Sequence, residues 1–186
     1  CLGGGKRLRP LLCIASYSCF EKPTNEIVKA SLALEFLQGV LLIHDDIIDR
    51  SDIRRFRATL HRAYEKLGGE KHISKDQIAH FGESIAIVAG DMLFPFINDT
   101  ILYSRFSPEV KMRALKRCDK AILNTGQGQV LDVVYGHESI NKIKEHDIKK
   151  VHALKTAEYS FELPIAMGAI FAGVSEKKQK KFSNLG

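Results

Sequence analysis

Three carboxylates fall within five positions at Asp45, Asp46 and Asp49, in the stretch Ile43-His44-Asp45-Asp46-Ile47-Ile48-Asp49-Arg50, which follows an apolar run with no turn residue between them. On a helix, Asp45 and Asp49 lie about 6 Å apart along the axis and project from one side, while Asp46 and Asp49 form an i, i+3 pair. Like charges so placed repel. Divalent cations that bridge carboxylates to a polyphosphate offset that repulsion, and hard oxygen ligands suit them. A helix end emerging into solvent explains a bare DDxxD equally well, so the surrounding residues have to decide.

Cations flank the acids on both sides. Downstream, Arg54-Arg55-Phe56-Arg57 leaves the same helix, and guanidinium forks match phosphate oxygens bidentately. Upstream, Gly3-Gly4-Gly5-Lys6-Arg7-Leu8-Arg9-Pro10 joins glycines that free backbone amides to Lys6 and Arg9, a cradle for a second anion. That segment lacks the spacing of a nucleotide-binding P-loop, and no strand precedes it. A solvated basic loop is the plain alternative for either run. Other polar residues say less by themselves. Gln38 reads as a core amide, and Lys155-Thr156 and the i, i+3 pair Gln129/Asp132 read as ordinary helix positions. Asp91 reads as a buried hydrogen-bonding group, and the seven histidines, His44 among them, as structural.

The elements that must position these groups read as helices. Residues 26 to 49 carry apolar side chains around nearly the whole circumference and contain no Pro, which predicts a buried central helix. Similar segments are expected at Leu8–Phe20, Ile78–Leu102, Pro108–Asn124, Val130–Tyr135, Asp147–Phe161 and Pro164–Ala172, with breaks at 22–25, 67–70 and 135–137. Ser107-Pro108 is an N-cap followed by a helix-opening proline. The fold class expected is all-α, a bundle of long helices.

With 186 residues, 45% of them hydrophobic, the chain is expected to form one domain over 1–186. The net charge of +6 favours anionic partners. Nucleic acid is disfavoured, since the carboxylate-ended helix repels phosphates unless a metal intervenes. Four cysteines without CxxC spacing point to a reducing compartment, and no apolar run reaches about 18 residues, so no membrane span and a cytoplasmic setting are expected. The chain opens on Cys1 and stops after a basic run at Asn184-Leu185-Gly186, so a longer parent polypeptide is expected.

In their order, GGKRLRP, HDDIIDRSDIRR, Gly90-Asp91-Met92-Leu93-Phe94, Gly128-Gln129-Val130-Leu131-Asp132 and Lys155-Thr156-Ala157 resemble the motif series of the trans-polyprenyl synthetases, or isoprenyl diphosphate synthases. The resemblance implies helices around a deep central cavity and a Mg²⁺-dependent, head-to-tail condensation of isopentenyl diphosphate with dimethylallyl, geranyl or farnesyl diphosphate. It implies Asp45 and Asp49 as Mg²⁺ ligands, with Asp46 as a further ligand or a support. Arg54 would hold the allylic diphosphate, and Arg55, Lys6, Arg9 and Gln38 the isopentenyl diphosphate. Lys155 and Thr156 would lie near the departing diphosphate and the developing cation, supported by Gln129 and Asp132, in a homodimer. The family's second Asp-rich motif is expected beyond Gly186, and Phe56-Arg57-Ala58-Thr59 departs from the usual Gly and Pro-Thr of the loop.

Positions eight, five and four before Asp45, which are Leu37, Val40 and Leu41, set the floor beneath the growing chain in this reading. None is aromatic, so geranylgeranyl diphosphate is the expected product, with a longer polyprenyl diphosphate as the alternative. A non-catalytic regulatory subunit of a heteromeric synthase is the other reading of the series.

Overall fold

A computed structural model describes residues 5–183, so Gly3, Gly4 and the terminal Asn184-Leu185-Gly186 lie outside the described residues. Among the described residues the chain is helical apart from one two-residue hairpin, as expected for the all-α class. By packing, it divides into two compact units. One holds Leu32–Thr100 and the segment ending at Arg7; the other holds Leu8–Ser31 and the chain from Ile101 onward.

The first unit takes the C-terminal turns of α2 (Asn25–Ile48), strands β1 (Ile53–Arg54) and β2 (Arg57–Ala58), and helices α3 (Leu60–Glu70), α4 (Ile78–Asp91) and α5, which begins at Phe94. Ala33, Leu34, Leu37 and Val40 of α2 are buried, as the all-round apolar pattern requires. Phe36 stacks on Phe96 with ring centroids 5.5 Å apart, which turns its ring toward α5. Helices α3 and α4 approach closely at Gly82, where a Cβ would stand 2.5 Å from the His61 carbonyl oxygen. The expected single segment Ile78–Leu102 is two helices, separated at Met92-Leu93 just ahead of Pro95. Helix α3 was not expected, because Gly68-Gly69 reads as a break; the pair instead forms its last turn, with Gly68 packed against Phe81.

The second unit contains α1 (Leu8–Ser18), the first turns of α2, α6 (Pro108–Gly136), α7 (Glu145–Val151), a π-helix over His152–Glu162, α8 (Leu163–Phe171) and α9 (Glu176–Ser183). Ser107 caps α6 by accepting from the Val110 N–H, with Pro108 in the first turn as the sequence predicts. The helix then runs through Gly126 and Gly128 without the expected break, so two expected segments are one helix of 29 residues. Helix α8 is almost wholly apolar and packs on α1 at Gly168, where a Cβ would lie 2.2 Å from the Cys13 carbonyl oxygen. Cys13, Cys118, Leu163 and Met167 sit in this core, and burial pushes the Cys13 and Cys118 thiols up to about 12.

By length and composition alone, Asn25–Ile48 and the Ile78–Leu102 stretch each reach what a membrane span needs, contrary to the count of consecutive apolar residues.

Candidate functional site

In the first unit the acidic end of α2 and the hairpin that follows it form one cluster. Past the end of α2 the chain turns at Arg50, in a left-handed conformation (φ 52°), and Ser51 N–H donates back to the Asp46 carbonyl at 2.9 Å. Buried Thr59 then ties the loop down, its hydroxyl donating to the Ser51 carbonyl at 2.7 Å. The strands pair Ile53 with Ala58 and Arg54 with Arg57, which leaves Arg55 and Phe56 as a two-residue turn with φ of 52° and 63°.

This geometry swings Arg54 back over the helix end. Its Nε donates to Asp46 Oδ1 at 2.7 Å, and its Nη2 lies 2.6 Å from the same oxygen and 3.3 Å from Asp45 Oδ2. Asp46 is 5% exposed. Burial pushes its carboxyl above the usual range, and the Arg54 guanidinium opposes that push. Asp46 is thus paired with Arg54, while Asp45 is half-buried and Asp49 exposed. Among the described residues no three acidic, histidine or cysteine side chains converge as a cage for a metal ion. The donor set still fits a hard cation of the Mg²⁺ type, which keeps waters and takes phosphate oxygens alongside only one or two carboxylates. Asp45 and Asp49, four residues apart on one helix, offer such a pair.

The first unit also places other residues, most of them named from the sequence. His44 Nε2 is 3.4 Å from Asp91 Oδ1, and its ring fills the space beside Gly90, where a Cβ would come within 2.5 Å. Asp91 is exposed, not the buried group expected from its apolar neighbours. Arg7 pairs with Glu35 of α2. Lys6 is exposed, Gln38 half-buried, and the Arg55 guanidinium lies against Gly5, where a Cβ would meet its Nη1 at 2.7 Å.

The second unit gathers a different set. Lys155 Nζ donates to Asp132 Oδ2 at 2.6 Å, joining the π-helix to α6. Gly128 permits this approach, since a Cβ there would stand 2.5 Å from the Lys155 backbone nitrogen. Gln129 turns a buried Nε2 that has no hydrogen-bond partner, and Thr156 is exposed. Buried Glu158 pairs with Arg117 of α6. Arg9 donates from Nη2 to Ser160 Oγ at 2.7 Å, and its guanidinium carbon lies 4.3 Å from the centroid of the Tyr159 ring. The α-helix expected over 147–161 is thus α7 followed by a wider π-helix, in which the Leu163 N–H reaches the Glu158 carbonyl. The residues expected to act together therefore form two clusters, one in each unit.

The sequence profile described as polyprenyl synthetase matches residues 1–186. The chain is 32% identical to geranylgeranyl pyrophosphate synthase 7, chloroplastic, of Arabidopsis thaliana, over 97% of this chain and 48% of that protein. Among solved structures it resembles geranylgeranyl pyrophosphate synthase from Corynebacterium glutamicum, complexed with isoprenyl diphosphate and magnesium, with a TM-score of 0.83 and 34% identity, covering 96% of this chain and 51% of that one. The geranylgeranyl pyrophosphate synthetase of Pyrococcus horikoshii gives a TM-score of 0.82 at 27% identity, covering 98% and 50%. The chain spans about half the length of the relatives it matches.

Proposed function

This chain belongs to the polyprenyl synthetase family, and on that premise we propose that its protein condenses isopentenyl diphosphate head-to-tail with an allylic diphosphate to give an all-trans polyprenyl diphosphate. The observation that carries the reading is the acidic end of α2, where Arg54 is locked on Asp46 beside Asp45 and Asp49.

Asp45 and Asp49 would hold Mg²⁺, which when bound supplies positive charge to the diphosphate of the allylic substrate as it leaves. Arg54 presents further positive charge from a fixed position, because Asp46 already holds its Nε edge. Lys155, steadied by Asp132, offers an ammonium to the same leaving group, with Thr156 and the unpartnered Gln129 amide as hydrogen-bonding neighbours. Arg9, Lys6, Arg55 and Gln38 bind isopentenyl diphosphate. Its double bond attacks the allylic carbon as the C–O bond breaks, and the proton lost from the new chain goes to the departing diphosphate.

Geranylgeranyl diphosphate is the product we infer. Leu37 and Val40 are buried and Leu41 half-buried, and the nearest aromatic on this helix, Phe36, is turned to Phe96. A homodimer is the assembly that suits the apolar side chains left exposed on α4, α5 and the link between them, Ile87, Val88, Met92 and Phe96. The setting is cytoplasmic in this reading.

The test is turnover of labelled isopentenyl diphosphate with geranyl or farnesyl diphosphate in the full-length protein. Activity should vanish in excess EDTA, and Asp45→Asn or Asp49→Asn should slow it on the order of 10³-fold. Undiminished turnover under chelation, or in both variants, rejects the assignment.

A further inference from the structure

Arg9 is held in an uncommon way for a surface-motif arginine. Ser160 Oγ accepts one of its five N–H groups, and the Tyr159 ring covers the guanidinium plane. Its Nε–H is buried and has no hydrogen-bond partner. A buried donor on a cation calls for an acceptor, and an anionic oxygen is the acceptor a guanidinium favours most.

The two residues that hold Arg9 are adjacent on the π-helix. A turn closing from i to i+5 places Tyr159 and Ser160 one turn beyond Lys155, on either side of its direction. Lys155 is fixed on Asp132 and Glu158 on Arg117, both partners belonging to α6. The rotation of this segment is therefore set at two points before Tyr159 and Ser160 reach α1. An α-helical turn closes four residues along and would present a different pair to Arg9.

We propose that Tyr159 and Ser160 are positioning residues for isopentenyl diphosphate: they fix the Arg9 guanidinium so that its Nε–H meets the diphosphate headgroup. The assignment rests on the reading of Arg9 given above. It adds that the π-helix sets the affinity for this substrate through side chains that do not touch the reacting carbons.

The experiment uses Ser160→Ala and Tyr159→Leu in the full-length protein, with Tyr159→Phe and Ser160→Thr as conservative partners. Loss of a hydrogen bond to a charged group, or of a stacked ring, corresponds to roughly 10-fold in affinity. The KM for isopentenyl diphosphate should rise about 10-fold in Ser160→Ala and several-fold in Tyr159→Leu. The KM for the allylic diphosphate and kcat should stay within about twofold, and Tyr159→Phe and Ser160→Thr should behave as wild type. Calorimetric titration with isopentenyl diphosphate, and with inorganic pyrophosphate as a headgroup-only probe, should show the same loss without turnover. Equal rises in both KM values, a fall in kcat alone, or Tyr159→Phe as impaired as Tyr159→Leu overturns the proposal. A wild-type protein that binds no isopentenyl diphosphate overturns the functional reading instead.

Discussion

Substituting Gly128 by Ala adds one methyl group where α6 meets the π-helix. The new Cβ would stand 2.5 Å from the Lys155 backbone nitrogen and 2.9 Å from both the carbonyl carbon and the Cβ of Leu154. Two of these neighbours are backbone atoms, so no rotamer change relieves the clash. Ordinary contact begins near 3.4 Å, so the helices must separate by about 0.9 Å. Overpacking of this kind costs about 1–3 kcal/mol. The Lys155–Asp132 hydrogen bond, 2.6 Å in the native chain, would stretch to the edge of hydrogen bonding. A misplacement near 1 Å at a catalytic group lowers the rate on the order of 10²-fold. Urea denaturation of Gly128→Ala should show the stability loss, and steady-state assays a fall in kcat/KM larger than the stability loss explains at a temperature where the variant is fully folded. As a control, Gly126→Ala, two residues away with nothing within 4 Å of its Cβ, should be neutral or slightly stabilising. Equal behaviour of the two variants would refute the packing argument.

Arg54→Ala should cost about 1–3 kcal/mol at pH 7.5 by urea denaturation, because it strands the buried Asp46 carboxylate. Burial holds the folded-state pKa of Asp46 above its unfolded value, so the folded form binds that proton more tightly; the penalty is full above the raised pKa and should shrink as pH falls through it. At pH 7.5 a maleimide should label exposed Cys19 in the native protein while sparing Cys13 and Cys118, whose thiols burial holds near 12; peptide mapping that finds all three modified at equal rates contradicts the core described above. Leu41→Phe should shorten the product toward farnesyl diphosphate on reversed-phase chromatography, and an unchanged product would remove Leu41 from the floor.

Where periodicity was strong, the sequence read correctly. Helix α2, its acidic end and the Ser107-Pro108 start of α6 follow from patterns that local physics enforces. The glycines misled. Gly68-Gly69 reads as a break and the expected segments leave 125–129 uncovered, yet α3 and α6 continue through these positions, and Gly68 and Gly128 serve close approach to a neighbour instead of chain reversal. The hairpin was illegible because its two-residue strands carry no alternation, and its turn places Arg55 and Phe56 at positive φ, where Asn-Gly is the usual signal. The π-helix leaves no periodic signature in eleven residues. Arg9 and Ser160 are 151 positions apart, so no local rule pairs them.

The Arg54 distances also separate two carboxylates that the DDxxD pattern treats alike. Asp46 accepts from Nε at 2.7 Å, has Nη2 2.6 Å away as an ion-pair partner and is buried, whereas Asp45 accepts from Nη2 at 3.3 Å and is half-buried. Beyond about 3.2 Å a hydrogen bond to nitrogen is weak, so turning Asp45 away from Arg54 forfeits little. Turning Asp46 away would leave a desolvated charge behind, at a cost of about 1–3 kcal/mol or more. The shorter contact and the deeper burial make Asp46 the carboxylate that holds the Arg54 guanidinium in place. The same reasoning orders the variants: Asp45→Asn should weaken metal dependence while leaving the fold nearly as stable, and Asp46→Asn should act first on the placement of Arg54.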